Sequence, residues 1–112
     1  MVTVRQVDAS FLETYDRIPM RVPVRCVYRL EKVDRGLGGI LLREEPVEPY
    51  VKDLGKYDRM QEYETRFDIS NWRFFAAFDG EKPVGASTLV CRTPGVHMLD
   101  GRGDLCVLWD IR

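Results

Sequence analysis

A glycine-rich segment, residues 34–39, is one of the few stretches whose composition could bind a ligand directly. A phosphate-binding loop needs a helix that starts immediately behind the glycines, because the free N–H groups of that helix must point at the anion. Here three apolar residues, Ile40, Leu41 and Leu42, come next, and prolines follow at positions 46 and 49. Proline disrupts a helix interior, so the sequence predicts a turn between two strands rather than a phosphate site.

The residue types that most often act as nucleophiles, bases or metal ligands are scattered along the chain. The only histidine, His97, lies in a predicted loop with no second ligand beside it, which favours neither a metal site nor a role as general base. The cysteines Cys26, Cys91 and Cys106 are odd in number and form no CxxC pair. We interpret them as reduced thiols with apolar neighbours in a cytoplasmic protein, and we predict no metal site.

An acidic segment, residues 43–53, contains Glu44, Glu45 and Glu48 together with two prolines. Proline and charge at this density predict a loop that runs over the surface. The glutamates are most simply solvated charges. If the substrate is a cationic amine, however, the same segment would form a wall of its pocket, and both interpretations remain open.

Two helices are predicted to support these residues. Ser10 and Glu13 have the spacing of a capping box, which satisfies free N–H groups at the start of a helix. Apolar residues recur behind them at helical spacing until Pro19 ends the segment. A second stripe, made of tyrosine, methionine and phenylalanine, predicts another amphipathic helix from about residue 55 to residue 67.

Strands are predicted where polar and apolar residues alternate. Val2 and Val4 alternate with polar neighbours near the start of the chain. From Val24 the alternation has period two. The four arginines of residues 17–29, which are spaced by four, would on paper line one face of a helix. The prolines at 19 and 23 argue against that helix. The arginines are therefore predicted on the exposed face of a strand, where they are solvated or face a ligand.

The C-terminal part of the chain predicts a hairpin and a final strand. Residues 74–78 and 84–92 are apolar segments on either side of Asp79-Gly80, a dipeptide typical of hairpin turns. Gly85 within the second segment predicts the close approach of another backbone or of a ligand. Residues 105–112 form the most apolar run of the chain and predict a buried strand that ends on polar residues.

Composition and charge exclude several classes of protein. The 112 residues are enough for one domain with a modest core, so we predict a single domain over residues 1–112. The 17 basic and 18 acidic residues leave a net charge of -1, which gives no footprint for nucleic acid. No apolar run approaches the roughly 20 residues that span a membrane, and the first residues lack the layout of a signal peptide. We therefore predict a cytoplasmic protein with no nucleic-acid or membrane partner.

Residues 74–86, FFAAFDGEKPVGA, resemble the central hairpin of the GNAT N-acetyltransferases, in which an apolar strand, an acidic turn with glycine and a Val-Gly return strand recur. Residues 108–112, LWDIR, are similar to the fourth strand of that family, often written apolar-x-Asp/Glu-apolar-x-Val. The resemblance implies an α+β fold, with a mixed, mostly antiparallel sheet flanked by two helices, which is the N-terminal half of the GNAT fold. Within the family, the chain is similar to the streptothricin-type enzymes, which act on small amines.

The sequence departs from the family after the last strand. In the family, a loop with the pattern Arg/Gln-x-x-Gly-x-Gly/Ala opens a helix whose N-terminus holds the pyrophosphate of acetyl-CoA. Residues 1–112 contain no such segment. The resemblance therefore implies an N-terminal half that ends where the acetyl-CoA site begins, and binding of acetyl-CoA by this chain alone is not expected.

The resemblance also implies roles for residues at the end of the last strand. In the family an amine attacks the thioester directly, a carboxylate or an ordered water takes its proton, and a backbone N–H polarises the carbonyl. Asp110 is then the candidate catalytic base or substrate carboxylate, with anchoring of the strand end as the alternative. Ile111 and Arg112 are the candidate acetyl-CoA-binding residues, through their backbone groups. The candidates for the wall around the acceptor amine are Trp109, Tyr50, Glu48 and Asn71.

The function implied by the resemblance is transfer of the acetyl group of acetyl-CoA to a primary amine of a small molecule, with this chain inactive by itself. The alternative is a non-catalytic interaction or dimerisation module derived from the same fold. An apolar last strand with an unpaired edge can pair with another chain. We therefore expect a homodimer or strand exchange through residues 105–112, or pairing with a separately supplied C-terminal half.

Overall fold

The computed structural model describes all residues of the chain, 1–112, in two compact units. The first unit combines residues 1–20 with residues 55–112, and the second unit is residues 21–54. A single domain over residues 1–112 stays a prediction. The strands are β1 (Val2–Val7), β2 (Arg21–Lys32), β3 (Ile40–Asp53), β4 (Trp72–Asp79), β5 (Lys82–Cys91) and β6 (Cys106–Ile111). The helices are α1 (Leu12–Asp16) and the short 3-10 segments Ala9–Phe11, Val33–Gly36, Leu54–Lys56, Met60–Thr65, Ile69–Asn71 and His97–Leu99. None of these helices has the length and apolar composition that crossing a membrane requires.

The first unit is built on an antiparallel sheet with the strand order β1-β4-β5-β6. β4 alternates strictly between buried and less buried residues, as expected for a strand with one face on the core. Gly80 and Glu81 form the two-residue turn to β5, because Asp79 pairs with Lys82. The predicted hairpin is therefore confirmed.

The core lies between one face of this sheet and the helical segments. The apolar stripe of α1 and its flanking residues, Leu12, Tyr15 and Ile18, is buried in the same cluster as Trp72 and Phe74 of β4. The prediction that the first helix lays its apolar side on the sheet is confirmed. Burial of such side chains is the main favourable term in folding, at about 25 cal/mol per Å² of apolar surface.

The second predicted helix is present as a shorter and tighter segment. Met60–Thr65 forms a 3-10 helix, and its first N–H groups, those of Met60 and Gln61, donate to the carboxylate of Asp16 at 2.7 and 3.1 Å. Tyr63 and Phe67, which contribute to the helical spacing in the sequence, pack on the rings of the core. Tertiary contacts thus set the length of this segment, which is common for short helices.

Gly85 of β5 lies where two strands approach closely. A β-carbon at this position would stand 3.1 Å from the carbonyl oxygen of Arg112 and 3.7 Å from the β-carbon of Ala77. The backbone N–H and C=O of the neighbouring Ala86 both bond to Arg112, at 2.8 Å. The expectation that this glycine marks the approach of another backbone is confirmed.

The interpretation of all three cysteines as reduced thiols is wrong for two of them. Cys91 of β5 and Cys106 of β6 are directly opposite each other and form a disulfide, with their Cα atoms 4.6 Å apart. Their separation of 15 residues gave no motif in the sequence, because it is strand register that brings them together. Cys26, in the second unit, is free.

Breaking this disulfide by Cys106→Ser is expected to lower the free energy of unfolding by about 3 kcal/mol, because the bond closes a loop of about 15 residues in the unfolded chain. Equilibrium unfolding in urea without reductant measures the change. Cys26→Ser is the matched control and is expected to stay within about 0.5 kcal/mol of the parent chain. A Cys106→Ser variant as stable as the parent would contradict the prediction.

The second unit is the antiparallel hairpin of β2 and β3. The prediction of a wandering surface loop at residues 43–53 is wrong, since β3 runs through this segment. Val24 pairs with Tyr50 and Cys26 pairs with Pro46, so three residues of β3 stand opposite one residue of β2. Such an irregularity accommodates the two prolines, which strands tolerate at bulges and edges. The turn predicted at residues 34–39 joins the two strands.

Charged residues of the hairpin pair across the strands. Arg29 forms an ion pair with Glu45, and Arg43 forms one with Glu31 at 3.0 Å. The prediction that the arginines occupy the exposed positions of a strand is confirmed for Arg29, which has an exposed side chain. Because these pairs are exposed, water and salt screen their charges and they contribute little to stability.

Candidate functional site

The candidate site is the end of β6, where the strand bulges. Leu108 pairs with Leu89 and Asp110 pairs with Thr88, so Trp109 is an extra residue in the ladder. A bulge of this kind redirects the side chains beside it. Trp109 and Asp110, although consecutive, therefore both contact residues of the core side of the sheet.

Asp110 is buried, and its carboxylate is surrounded by donors. One oxygen accepts from the Tyr15 hydroxyl at 2.7 Å and from Nε of Arg112 at 2.9 Å, and the other accepts from an Arg112 Nη at 3.1 Å. Tyr15 in turn accepts from the Thr88 hydroxyl at 2.9 Å. These contacts tie α1, β5 and the end of β6 into one buried network, which we call the Asp110 network (Tyr15, Thr88, Asp110 and Arg112).

Arg112 supplies the positive charge of the network. Its side chain has no solvent exposure, and its guanidinium lies 4.9 Å from the centre of the Tyr15 ring. One Nη donates to the backbone carbonyl of Asp58 at 3.3 Å. The other Nη has no hydrogen-bond partner, although Asp16 lies 3.9 Å away. Arg112 is thus charge-compensated, while one of its nitrogens stays unsatisfied.

The electrostatics of the network favour a neutral tyrosine and a charged arginine. Burial, with the nearby charge and hydrogen bond of Asp110, raises the pKa of Tyr15 well above its usual value. Burial acts to lower the pKa of Arg112, but the hydrogen bond and charge of Asp110 outweigh it, and the pKa is raised. Both pKa shifts keep Tyr15 neutral and Arg112 charged around neutral pH.

The raised pKa of Tyr15 predicts a loss of stability in alkaline solution. A folded pKa above the unfolded value of about 10 contributes stability that is complete below pH 10 and is lost above it. Between pH 10 and 11 the free energy of unfolding of the parent chain is expected to fall by up to about 1.4 kcal/mol more than that of Tyr15→Phe, which has no hydroxyl to ionise at this position. Urea unfolding at pH 8, 10 and 11 measures the difference. Tyr57→Phe, at an exposed ring, is the control and is expected to follow the parent; an equal decline in Tyr15→Phe would count against the assignment.

Ile111 is the residue of the site whose backbone is accessible. Arg112 exchanges two backbone hydrogen bonds with Ala86, so in an antiparallel ladder the N–H and C=O of the preceding Ile111 point away from β5. β6 is the edge of the sheet, which leaves these two groups without a neighbouring strand. Of the two predicted acetyl-CoA-binding residues, Ile111 therefore has backbone groups to offer, while those of Arg112 are engaged.

A groove of about 210 Å³ lies next to Ile111 on the sheet face away from the core. Several of the residues beneath it are alanine, glycine or serine, whose small side chains leave space for the groove. The lining residues include Val4, Phe75, Ala77, Gly85, Ser87 and Ile111. The end of β6 thus combines a free backbone edge with an adjacent, mostly apolar groove.

Trp109 lies among aromatic rings. Its ring centre is 5.2 Å from that of Tyr63, 5.4 Å from that of Trp72 and 6.0 Å from that of Phe67. Rings at these distances stabilise a core beyond the area that they bury. The contacts of Trp109 are those of a core residue.

The other predicted wall residues do not gather at this place. Asn71 is exposed at the start of β4 and donates to the carbonyl of Arg92 at 3.1 Å, beside the opposite end of β6. Glu48 and Tyr50 lie on β3 in the second unit, where both are exposed. The structure therefore brings together Trp109, Asp110, Ile111 and Arg112 alone among the predicted site residues of the first unit.

Sequence reasoning missed Tyr15 as a member of the site. Tyr15 belongs to the apolar stripe of the first helix, and in the structure it packs in the core with the rest of that stripe. The available signal was its hydroxyl, because a buried tyrosine needs a hydrogen-bond partner. His97 and Asp100 give no further chemistry, and no group of three or more His, Cys, Asp or Glu is placed to hold a metal ion.

Comparison with known proteins shows likeness in structure. No protein-family model matches the sequence, and no curated protein matches it. A nourseothricin acetyltransferase matches with a TM-score of 0.53 and 20% identity, over 80% of this chain and 45% of that one. A putative streptothricin acetyltransferase from Bacillus anthracis str. Ames, in complex with acetyl coenzyme A, matches with a TM-score of 0.55 and 15% identity, over 99% of this chain and 55% of that one. The chain spans about half the length of the solved structures that it matches. The predicted α+β fold is confirmed, and it is similar to the corresponding part of these two structures.

Proposed function

We propose that this chain forms part of an N-acetyltransferase, the part that positions the thioester of acetyl-CoA next to a primary amine of a small molecule. The observation that carries the proposal is the bulged end of β6, where Ile111 presents free backbone groups at a sheet edge. A protein of the same fold was crystallised with acetyl coenzyme A, which supports this choice of acyl donor.

In this reaction the amine nitrogen bonds to the thioester carbonyl carbon and gives up a proton, the carbon–sulfur bond breaks, and the departing thiolate takes up a proton to leave as a thiol. The N–H of Ile111 donates to the carbonyl oxygen as negative charge develops there, which is the most effective place for a fixed donor. The apolar groove beside Ile111 holds the pantetheine arm and keeps water from the thioester. The Asp110 network fixes the direction in which the end of β6 points.

Asp110 has two possible roles in this proposal. Both of its oxygens already accept hydrogen bonds, from Tyr15 and Arg112, which supports anchoring of the strand end. As a base, Asp110 would have to release one of these donors before it could take a proton from the amine. Its catalytic role stays a prediction, and we assign it first to positioning.

The donor fits this chain only in part. The groove and the backbone edge at Ile111 are available to bind the acetyl-pantetheine end of acetyl-CoA. The pyrophosphate needs several N–H groups at the start of a helix. The only α-helix here, Leu12–Asp16, has five residues, and its first turn carries Glu13. Tight binding of acetyl-CoA therefore requires residues in addition to these 112.

The proposed acceptor is a small molecule with a primary amine that is protonated in solution. We place this activity in the cytoplasm, where acetyl-CoA is available, although disulfides such as Cys91–Cys106 are rare in reducing compartments.

The direct test is a chimera that joins residues 1–112 to the C-terminal part of the nourseothricin acetyltransferase. The chimera is expected to release free thiol from acetyl-CoA only when a primary amine is present, which a thiol reagent detects. Circular dichroism and light scattering confirm that the chimera folds. A folded chimera that binds acetyl-CoA but acetylates no amine would overturn the proposal.

A non-catalytic association module is the second candidate, favoured by the open edge of β6 and the exposed apolar side chains of Leu108 and Ile111. Edge strands of this kind template pairing with another chain. We propose either a homodimer or strand exchange through residues 105–112, or pairing with a separate chain that carries the other half of the fold.

The chain is therefore expected to dimerise at high micromolar concentration in size-exclusion chromatography with light scattering. Leu108→Lys is expected to shift the equilibrium to monomer, since a charge on an edge strand disfavours pairing. Leu37→Lys, at an exposed apolar residue of the β2–β3 turn, is the matched control. A monomer at all concentrations would rule out self-association through this edge.

A further inference from the structure

The end of the sheet away from the Asp110 network carries a second group of reactive residues. A pocket of about 280 Å³ is lined by Asn71, Arg73, Cys91, Arg92, Gly103 and Cys106. It contains the disulfide between β5 and β6, and Cys106 is exposed to solvent while Cys91 is half-buried. The proposed acetyl transfer uses none of the charged or sulfur-bearing residues of this pocket.

The two arginines give the pocket an uncompensated positive charge. Arg73 donates to the backbone carbonyls of Ser70 and Trp72 at 3.1 and 3.0 Å, and Arg92 donates to that of Gly103 at 3.4 Å. These are neutral acceptors, and neither arginine forms a salt bridge. Two guanidinium groups beside a disulfide favour an anionic attacking group and stabilise a departing thiolate.

The loop that the disulfide closes has anchors of its own. Val96 and Leu99 are buried in the core, and the Trp72 indole N–H donates to the Thr93 hydroxyl at 3.1 Å. These contacts hold the loop in place when the sulfur–sulfur bond opens. Opening and closing of the bond can thus take place in the folded protein.

We propose that Cys91 and Cys106 form a thiol–disulfide exchange site for small anionic thiols, meaning thiols that carry carboxylate or phosphate groups. The thiolate of such a molecule attacks Sγ of Cys106, the more exposed residue of the pair. The Cys91–Cys106 bond breaks, a mixed disulfide forms on Cys106, and Cys91 leaves as a thiolate beside the arginines. A second thiol then attacks the outer sulfur of the mixed disulfide, which yields the free disulfide of the reagent and two cysteine thiols.

The test compares thiols of different charge on the full chain carrying Cys26→Ser. Glutathione and coenzyme A are the anionic probes, 2-mercaptoethanol is neutral, and cysteamine is cationic. Reactions are quenched with acid, and mass spectrometry with peptide mapping follows the mixed disulfide. Each rate is divided by the rate of the same thiol with hydroxyethyl disulfide, a neutral reference. The anionic probes are expected to react about ten-fold faster than cysteamine on this scale, because a basic pocket concentrates anions.

Substitutions in the pocket locate the effect. Arg73→Gln/Arg92→Gln is expected to remove the preference for anionic thiols, while Arg17→Gln/Arg35→Gln, which changes the net charge equally at exposed positions elsewhere, is expected to keep it. High salt is expected to reduce the preference in the parent chain. A faster reaction of glutathione indicates recognition of carboxylates, and a faster reaction of coenzyme A indicates recognition of phosphates.

Three results would each overturn the proposal. One is normalised rates that do not depend on the charge of the thiol. Another is a preference that survives in Arg73→Gln/Arg92→Gln. The third concerns the parent chain, unfolded without reductant and treated with a thiol reagent. The disulfide predicts that Cys26 alone reacts, so reaction of all three cysteines would show that the disulfide is absent.

Discussion

Replacing Asp110 with asparagine is expected to lower the free energy of unfolding by about 3 kcal/mol, which is a large part of the stability of a domain of this size. Asp110 and Arg112 form a buried ion pair, with side chains 3% and 0% exposed. Removal of the carboxylate charge leaves the guanidinium buried, with only Asp16 near it at 3.9 Å. Urea unfolding at neutral pH measures the loss.

The matched control for this prediction is Asp104→Asn. Asp104 forms an ion pair with Arg102 at 2.6 Å, but both side chains are more than half exposed, so the expected loss is much smaller than that of Asp110→Asn. The double variant Asp110→Asn/Arg112→Met is expected to be more stable than Asp110→Asn, because it removes the unpaired charge as well. Equal losses in Asp110→Asn and Asp104→Asn would show that the Asp110 network does not stabilise the fold.

The 112-residue chain is expected to show no saturable binding of acetyl-CoA at micromolar concentration and no acetyl transfer. Hydrogen bonds to a charged group contribute about 1.5–3 kcal/mol each. The loss of two or three such bonds to the pyrophosphate weakens binding by about 10²-fold or more. Isothermal titration calorimetry measures the affinity, and release of free thiol measures the activity.

The streptothricin acetyltransferase that was crystallised with acetyl coenzyme A is the positive control for this titration. A titration of the chain with acetyl-pantetheine, which lacks the pyrophosphate, separates the two ends of the donor. Because the chain offers its groove and the edge of Ile111 to the pantetheine end alone, both ligands are expected to bind with similar, weak affinity. A micromolar affinity for acetyl-CoA that is much higher than the affinity for acetyl-pantetheine would reveal a pyrophosphate site in these residues.

The first unit could be predicted well from local patterns. The β4–β5 hairpin follows from an alternating strand, a turn dipeptide and a return strand, which are all short-range signals. The end of β6 was identified from one apolar run and its polar tip. Gly85 was correctly interpreted because a glycine inside a strand often marks a bulge or the close approach of another backbone.

The errors concern features that depend on the tertiary register. The disulfide joins Cys91 to Cys106 across two strands, and no spacing rule reveals which cysteines will stand opposite each other. β3 was interpreted as a loop because its prolines are strand breakers in isolation, whereas an irregular edge strand tolerates them. In both cases the neighbouring strand decides the outcome.

The candidate site was only half accessible to sequence reasoning. Asp110 and Ile111 could be selected because residues 108–112 resemble the end of the fourth strand of the GNAT family. The buried partner Tyr15 could not, since it is 95 residues away in the chain and shares a helix stripe with ordinary core residues. Long-range hydrogen bonds of this kind leave no periodic signal.

The hairpin of β2 and β3 interrupts the first unit, whose two sequence segments lie on either side of it. Its ends are adjacent, because Arg21 at the start of β2 pairs with Asp53 at the end of β3. An insertion with adjacent ends can be shortened, lengthened or exchanged without a change in the path of the host chain. Residues 21–54 are therefore a cassette that can be exchanged while the sheet of the first unit and the end of β6 stay unchanged.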